Sequence, residues 1–131
     1  MYLLIDNSAE GEAVFYLSER PSGRWKKFSF AVSDKSVLLV LLDKVLKQAG
    51  KKLTDLRGLV VRVGLGRFTA TRVAVTVANA MAFCLKIPVI SATDLNWKKI
   101  ETALKKAKAG VYVSAKYSGE ANIGKKLKIK N

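Results

Sequence analysis

The sequence predicts an α/β layered fold: a five-stranded mixed sheet, opened by an antiparallel three-strand meander and flanked by helices. Three observations lead there. The first 32 positions hold β-rich runs separated by turn residues. Two long apolar helical patterns follow, up to Ala49 and up to Lys86. The apolar runs Leu59 to Val63 and Pro88-Val89-Ile90 are short and rich in β-branched residues, the mark of buried strands.

Taken in order, residues 1–6 form the first strand, closing at the polar turn Asp6-Asn7-Ser8. Glu12 to Ser18 gives the second, hairpin-linked through Ala9-Glu10-Gly11. Arg20-Pro21-Ser22-Gly23 is a turn, and Arg24 to Val32 supplies a third strand with Trp25, Phe28, Phe30 and Val32 in rough alternation. Ser33 or Asp34 caps the first long helix, and Gly50 stops it. Its main apolar face holds Leu38, Leu39, Leu41, Leu42, Val45, Leu46 and Ala49, while Val37 and Val40 sit among the polar residues opposite. Lys51 to Gly58 is a polar link with one helical turn at Thr54-Asp55-Leu56.

Leu59 to Val63 is the fourth strand, and it feeds the turn Gly64-Leu65-Gly66-Arg67-Phe68-Thr69. The two glycines free the backbone, and Thr69 is suited to N-cap the second helix. On that helix the polar or large residues Arg72, Thr76, Asn79, Phe83 and Lys86 fall in one narrow seam, and the rest is apolar. A helix apolar nearly all round is buried on both sides. It is therefore predicted to lie on the sheet with one face and under something else with the other, with Cys84 a buried, inert thiol. After the strand at Pro88, Thr93 or Asn96 caps a third helix with Trp97, Ile100, Leu104 and Ala107 on one face, and Gly110 ends it. Val111-Tyr112-Val113 reads as a further short strand. The order β-β-β-α-β-α-β points to a ribonuclease-H-like arrangement. At 131 residues one domain is expected, spanning 1–115, with a lysine-rich tail over 116–131.

Composition removes several chemistries. With no histidine and one cysteine, internal disulfides, the usual zinc and non-haem iron sites and histidine-based hydrolases are excluded. A ribonuclease-H-like nuclease needs carboxylates gathered on two metals. Asp6 stands where the first would be, but the central strand ends Val63-Gly64 without an acid, so Asp6 is predicted to fold a turn by accepting from nearby amides. No catalytic residue, metal or cofactor is expected. The longest apolar run, Val37 to Leu42, is far below the roughly 18 residues of a membrane span. Residues 1–6 lack the features of a secretory signal, so a cytoplasmic protein is expected.

The net charge of +14 favours a polyanionic partner. Lysines crowd the last quarter of the chain against only Glu101 and Glu120, making Lys105, Lys106, Lys108, Lys116, Lys125 and Lys126 candidate RNA contacts. The two long helices carry more apolar surface than one sheet face needs. Val37, Val40, Leu41, Lys44, Val73, Val77, Ala78, Met81 and Ala82 are the candidate docking residues. Val40→Asp or Ala78→Arg is expected to abolish docking and leave the fold intact.

Three pieces at matching distances carry a resemblance: Ile5-Asp6-Asn7-Ser8; Gly64-Leu65-Gly66-Arg67-Phe68-Thr69-Ala70-Thr71-Arg72; and Ile87-Pro88-Val89-Ile90-Ser91-Ala92-Thr93-Asp94-Leu95. Together they resemble the TsaB (YeaZ) family, with its strand ending Asp-Thr-Ser, its turn Gly-x-Gly-Pro-Gly-Ser-Phe-Thr-Gly-x-Arg and its Pro-x-x-Gly-Val-Ser-Thr-Leu segment. Asp6, Asn7, Ser8, Gly64, Gly66, Arg67, Phe68, Thr69 and Arg72 are the matching positions, with Asn7, Leu65, Arg67 and Ala70 departing from the pattern. Tyr117 to Ile123 is similar to the closing segment of shorter members. The resemblance implies an actin/Hsp70-type (ASKHA) lobe without catalysis, in a short form lacking most of the second lobe and binding no nucleotide by itself. It implies a scaffold for TsaD, the transferase that adds a threonylcarbamoyl group to adenosine 37 of tRNA, with the ATPase TsaE as a further partner. A homodimer through the same helices is expected for the isolated chain. The alternative reading is a free-standing basic RNA-binding domain of ribonuclease-H-like fold.

Overall fold

The computed structural model describes residues 1–32, 37–64 and 68–114. The expected layered α/β architecture is present. One sheet has the strand order β3-β2-β1-β4-β5, with β1 spanning Tyr2–Asp6, β2 Glu12–Ser18, β3 Lys26–Ala31, β4 Gly58–Arg62 and β5 Val89–Ala92. The meander β1-β2-β3 is antiparallel, and β4 and β5 join in parallel through helices. The helices are α1 (Leu38–Gln48), α2 (Phe68–Leu85) and α3 (Trp97–Lys106). No described helix is long and apolar enough to cross a membrane.

Strand alternation divides the core in two. Leu3, Ile5, Phe15, Leu59 and Val61 face one side and pack with α1 and α2. Leu4 and Val60 face the other and pack with Ile100 and Leu104 of α3. On that second side Trp25 stacks on Trp97, with ring centroids 5.1 Å apart, and Tyr16 meets Trp97 edge-on. Burying β4 on both faces explains why its sequence is an unbroken apolar run up to Arg62. Gly58 leaves room for the Tyr2 ring, which a Cβ there would meet at 2.8 Å.

Gly50 ends α1 as predicted. It takes φ +68°, and the Lys51 N–H reaches back to the Leu46 carbonyl at 2.8 Å, the bond that closes a left-handed helix terminus. Other boundaries differ from the prediction. The first turn of α1 begins after Val37, which is extended and gives no side-chain cap; Ser33 and Asp34 lie outside the described residues. The link before β4 holds a 3₁₀ turn at Leu53–Asp55, closed by the Asp55 carboxylate accepting from the Lys52 N–H at 2.8 Å. Thr69 sits inside the first turn of α2, not at its cap. Asn96, one of the two predicted caps, does cap α3 by accepting from the Lys99 N–H, but the helix stops at Lys106, well before Gly110.

Val111-Tyr112-Val113 is not a strand. The Asn79 side-chain amide donates to the Val113 carbonyl at 2.9 Å and accepts from the Val113 N–H at 3.1 Å. An amide that supplies both partners satisfies this backbone without a sheet ladder.

Candidate functional site

At the carboxyl ends of β1, β4 and β5 the matched motif residues come together. Asp6 Oδ1 accepts from the Ser8 N–H at 3.0 Å and from Ser8 Oγ at 2.6 Å, the turn expected from the sequence. Its Oδ2 meets Arg62 Nη1 at 3.0 Å, and Arg62 Nε donates to the Thr93 carbonyl at 3.3 Å. Asn7 Nδ2 donates to the Ala70 carbonyl at 3.0 Å, tying the first turn to the start of α2. Gly64 takes φ +86°, so the glycine that opens the turn is needed for its backbone. Gly66 and Arg67 lie outside the described residues, as does the side chain of Phe68; Thr69 and Arg72 are exposed on α2.

The cluster is an interlocked anchor more than an open centre. Asp6 is buried, and its two oxygens are shared among a hydroxyl, an amide and a guanidinium. No group of three or more acidic, cysteine or histidine side chains able to hold a metal occurs among the described residues. Arg62 was the member not singled out from sequence, although a lone cation in an apolar strand was the signal for a buried acidic partner.

The candidate docking surface separates into two sets. Val37 and Val40 are 55% and 53% exposed, Val73 is 43% exposed, Lys44 is exposed and Val77 is half-buried. Leu41, Ala78, Met81 and Ala82 are instead covered by this chain's own core, a correction to the predicted surface. Ala78 has no exposed area at all, so Ala78→Arg breaks the fold and tests nothing about docking. The physical reason is rotational: Ala74, Ala78, Met81 and Ala82 share the face of α2 that meets the sheet.

The apolar stripe left outside α2 is Val73, Val77, Ala80 and Cys84, spaced 4, 3 and 4 along the helix. Cys84 is exposed, which corrects its predicted burial. Phe83 beside it is 69% exposed, and its ring lies tilted to that of Tyr112, with 6.4 Å between ring centroids. Leu39 also corrects the prediction, being half exposed where the main buried face was expected. Of the candidate RNA contacts, Lys105 is bonded to Glu101 at 2.8 Å, while Lys106 and Lys108 are exposed. Lys116, Lys125 and Lys126, and the 116–131 tail with them, lie outside the described residues.

The family model described as TsaD, tRNA N6-adenosine threonylcarbamoyltransferase, matches residues 34–120. Among solved structures the chain is similar to YeaZ from Pseudomonas aeruginosa, at 28% identity and a TM-score of 0.60. It is equally similar to a crystal structure from that organism described as an uncharacterized protein with similarity to peptidase YeaZ, also at 28% identity and a TM-score of 0.60. Each match covers 72% of this chain and 43% of the other. The chain thus spans less than half the length of these relatives.

Proposed function

The chain belongs to the TsaD family, in its YeaZ (TsaB) form with an ASKHA-like fold, and from that premise we propose that it is a non-catalytic scaffold in threonylcarbamoyl modification of tRNA adenosine 37. In this reading it docks on a TsaD-type transferase in the cytoplasm through the outer faces of α1 and α2. A TsaE-type ATPase completes the assembly. The tRNA is met through the partner or through the basic residues Lys106 and Lys108 and the tail. The single observation supporting this is the stripe Val73, Val77, Ala80 and Cys84, exposed among the described residues except for the half-buried Val77, on a helix whose other face is packed into the core. Burying each large apolar side chain is worth about 1.5–3 kcal/mol, so such a stripe gains most when a partner covers it.

The non-catalytic role rests on the chain's residues. A hydrolase or peptidase reading lacks a histidine base, and the Asp6 carboxylate is already committed to Ser8 and Arg62. Co-purification with the TsaD-type protein of the same organism tests the proposal. Val40→Asp and Val73→Asp, both at exposed positions, are expected to lose the complex and keep the far-ultraviolet circular dichroism of the parent. Retention of the complex by both variants overturns this surface. Tight RNA binding by the isolated chain, steeply weakened by salt, with no transferase complex formed, supports the free-standing RNA-binding reading instead.

A further inference from the structure

The charge of the chain is sorted along the strands. Leu17 stands beside Lys26, Ser18 beside Tyr2, Tyr2 beside Gly58 and Leu59 beside Val89. β1, β3, β4 and β5 therefore begin, and β2 ends, at one pole of the sheet. α1 and α2 return to that pole before β4 and β5, and α3 reaches it with Leu104 next to Gly58. The connections there are basic: Arg24 before β3, Lys52 and Arg57 before β4, Lys86 before β5, and Lys106 and Lys108 where α3 ends. All six side chains belong to exposed residues, and none forms an ion pair with a described residue.

The carboxylates nearest to them are already held. Glu19 meets Lys51 and Glu101 meets Lys105, each at 2.8 Å, and Asp55 accepts from the Lys52 N–H. At the opposite pole the described residues carry Asp6, Glu10, Glu12 and Asp94 against Arg72 and the Arg62 that Asp6 holds. Cations at helix ends complement the helix dipole, but Arg24, Lys52 and Arg57 lie outside the three α-helices, so that effect leaves them unexplained. The basic row crosses five strands, about 19 Å at the usual strand spacing, which is room for several phosphates. At its β5 corner Val111 shares a cavity of about 260 Å³ with Lys106 and Lys108, and the exposed rings of Phe83 and Tyr112 stand beside it.

We infer that this pole is an RNA-binding face, on which the cations take backbone phosphates and the rings of Phe83 and Tyr112 take an unpaired base. Exposed rings next to free cations match a ligand that carries both phosphates and bases, which an acidic protein does not. A bilayer needs apolar surface to enter it, and Met1, Leu17 and Leu56 at this pole are buried, while Leu53 turns to the recess beside Leu46. Residues 115–131 carry five lysines against Glu120, so their charge repels the pole instead of covering it. The inference rests on the tRNA reading above for its class of ligand, and widens the contact from the end of α3 to the whole pole. Val40 and Val73 lie in the first two turns of their helices, toward the other pole, so docking there leaves this face open.

The test uses the full chain and a fluorescein-labelled RNA stem-loop, followed by fluorescence anisotropy over a range of salt. Saturable binding is expected, with log K falling against log salt at a slope of about −3 or steeper. Arg24→Glu/Arg57→Glu is expected to bind ~30-fold more weakly, with the slope shallower by about 2 and the circular dichroism unchanged. The control Lys98→Glu/Lys99→Glu makes the same change of charge at the start of α3, at the other pole, and is expected to stay within ~3-fold of the parent. Phe83→Ala, at an exposed position, is expected to weaken the stem-loop ~10-fold and to leave the binding of polyglutamate unchanged. Absence of RNA binding overturns the inference, as does equal weakening by the two double variants or unchanged RNA binding by Phe83→Ala. Displacement of the RNA by polyglutamate or by phosphatidylserine vesicles at equal charge assigns the pole to any polyanion and likewise overturns it. Arg24→Glu/Arg57→Glu is expected to keep the transferase complex that Val40→Asp and Val73→Asp lose, so failure of the RNA face and failure of the docking surface are read separately.

Discussion

At the residue scale, Asp6 and Arg62 show how a strand-end carboxylate becomes a structural part. The pair joins β1 to β4, and through the Thr93 carbonyl to the end of β5. Arg62→Ala leaves a buried carboxylate with Ser8 as its remaining partner, and the loss of stability is expected to be about 2 kcal/mol, the scale of a hydrogen bond to a charged group. Urea unfolding monitored by tryptophan fluorescence measures it. A second, weaker link is Glu19 with Lys51, at 2.8 Å on the surface. The hydrogen bond from Lys51 holds the Glu19 carboxyl below its ordinary value. Its contribution is therefore present above the ordinary carboxylate pKa and lost as pH falls through the lowered one. Glu19→Gln is expected to lower the urea midpoint slightly at neutral pH and to leave it unchanged in strong acid.

At the element scale, α2 carries the layout. Its inner face rests on the sheet, its outer stripe is apolar and largely exposed among the described residues, and Asn79 between them grips the segment after α3. Asn79→Ala removes both bonds to Val113, and a loss of about 1–2 kcal/mol is expected if the segment stays packed. Faster hydrogen exchange at the Val113 amide, with α2 amides unchanged, shows that only the segment was released. The same helix shows where periodicity was informative and where it was not. The excess of apolar residues on α2 was legible, and so was the polar seam holding Asn79. The rotation of the helix was not, because Ala78 and Ala80 look alike in sequence and only their angle to the sheet separates core from surface. Val40→Asp and Val73→Asp belong to this scale as well, since each places a charge on an outer helix face without entering the core.

For the whole molecule, a largely exposed apolar stripe on a chain of net charge +14 sets attraction against repulsion. Apolar burial favours pairing of two copies through α1 and α2, and salt reduces the charge repulsion that opposes it. The isolated chain is expected to form a symmetric dimer in light scattering, more completely at higher ionic strength, and Val73→Asp is expected to remain monomeric. A parent chain that stays monomeric at high concentration and high salt removes the homodimer from the account.

Sequence alone determined the order of elements, the split of strands into a meander and parallel partners, the glycine stop of α1 and the family to which the motifs pointed. These follow from local causes: side-chain period, β-branching, turn residues and the conformational freedom of glycine. Tertiary structure decided which alanines are core, that Cys84 and Leu39 face outward, and that Arg62 closes on Asp6. Each of those depends on the angle at which one element meets another, and that angle is set by packing between residues far apart in the chain.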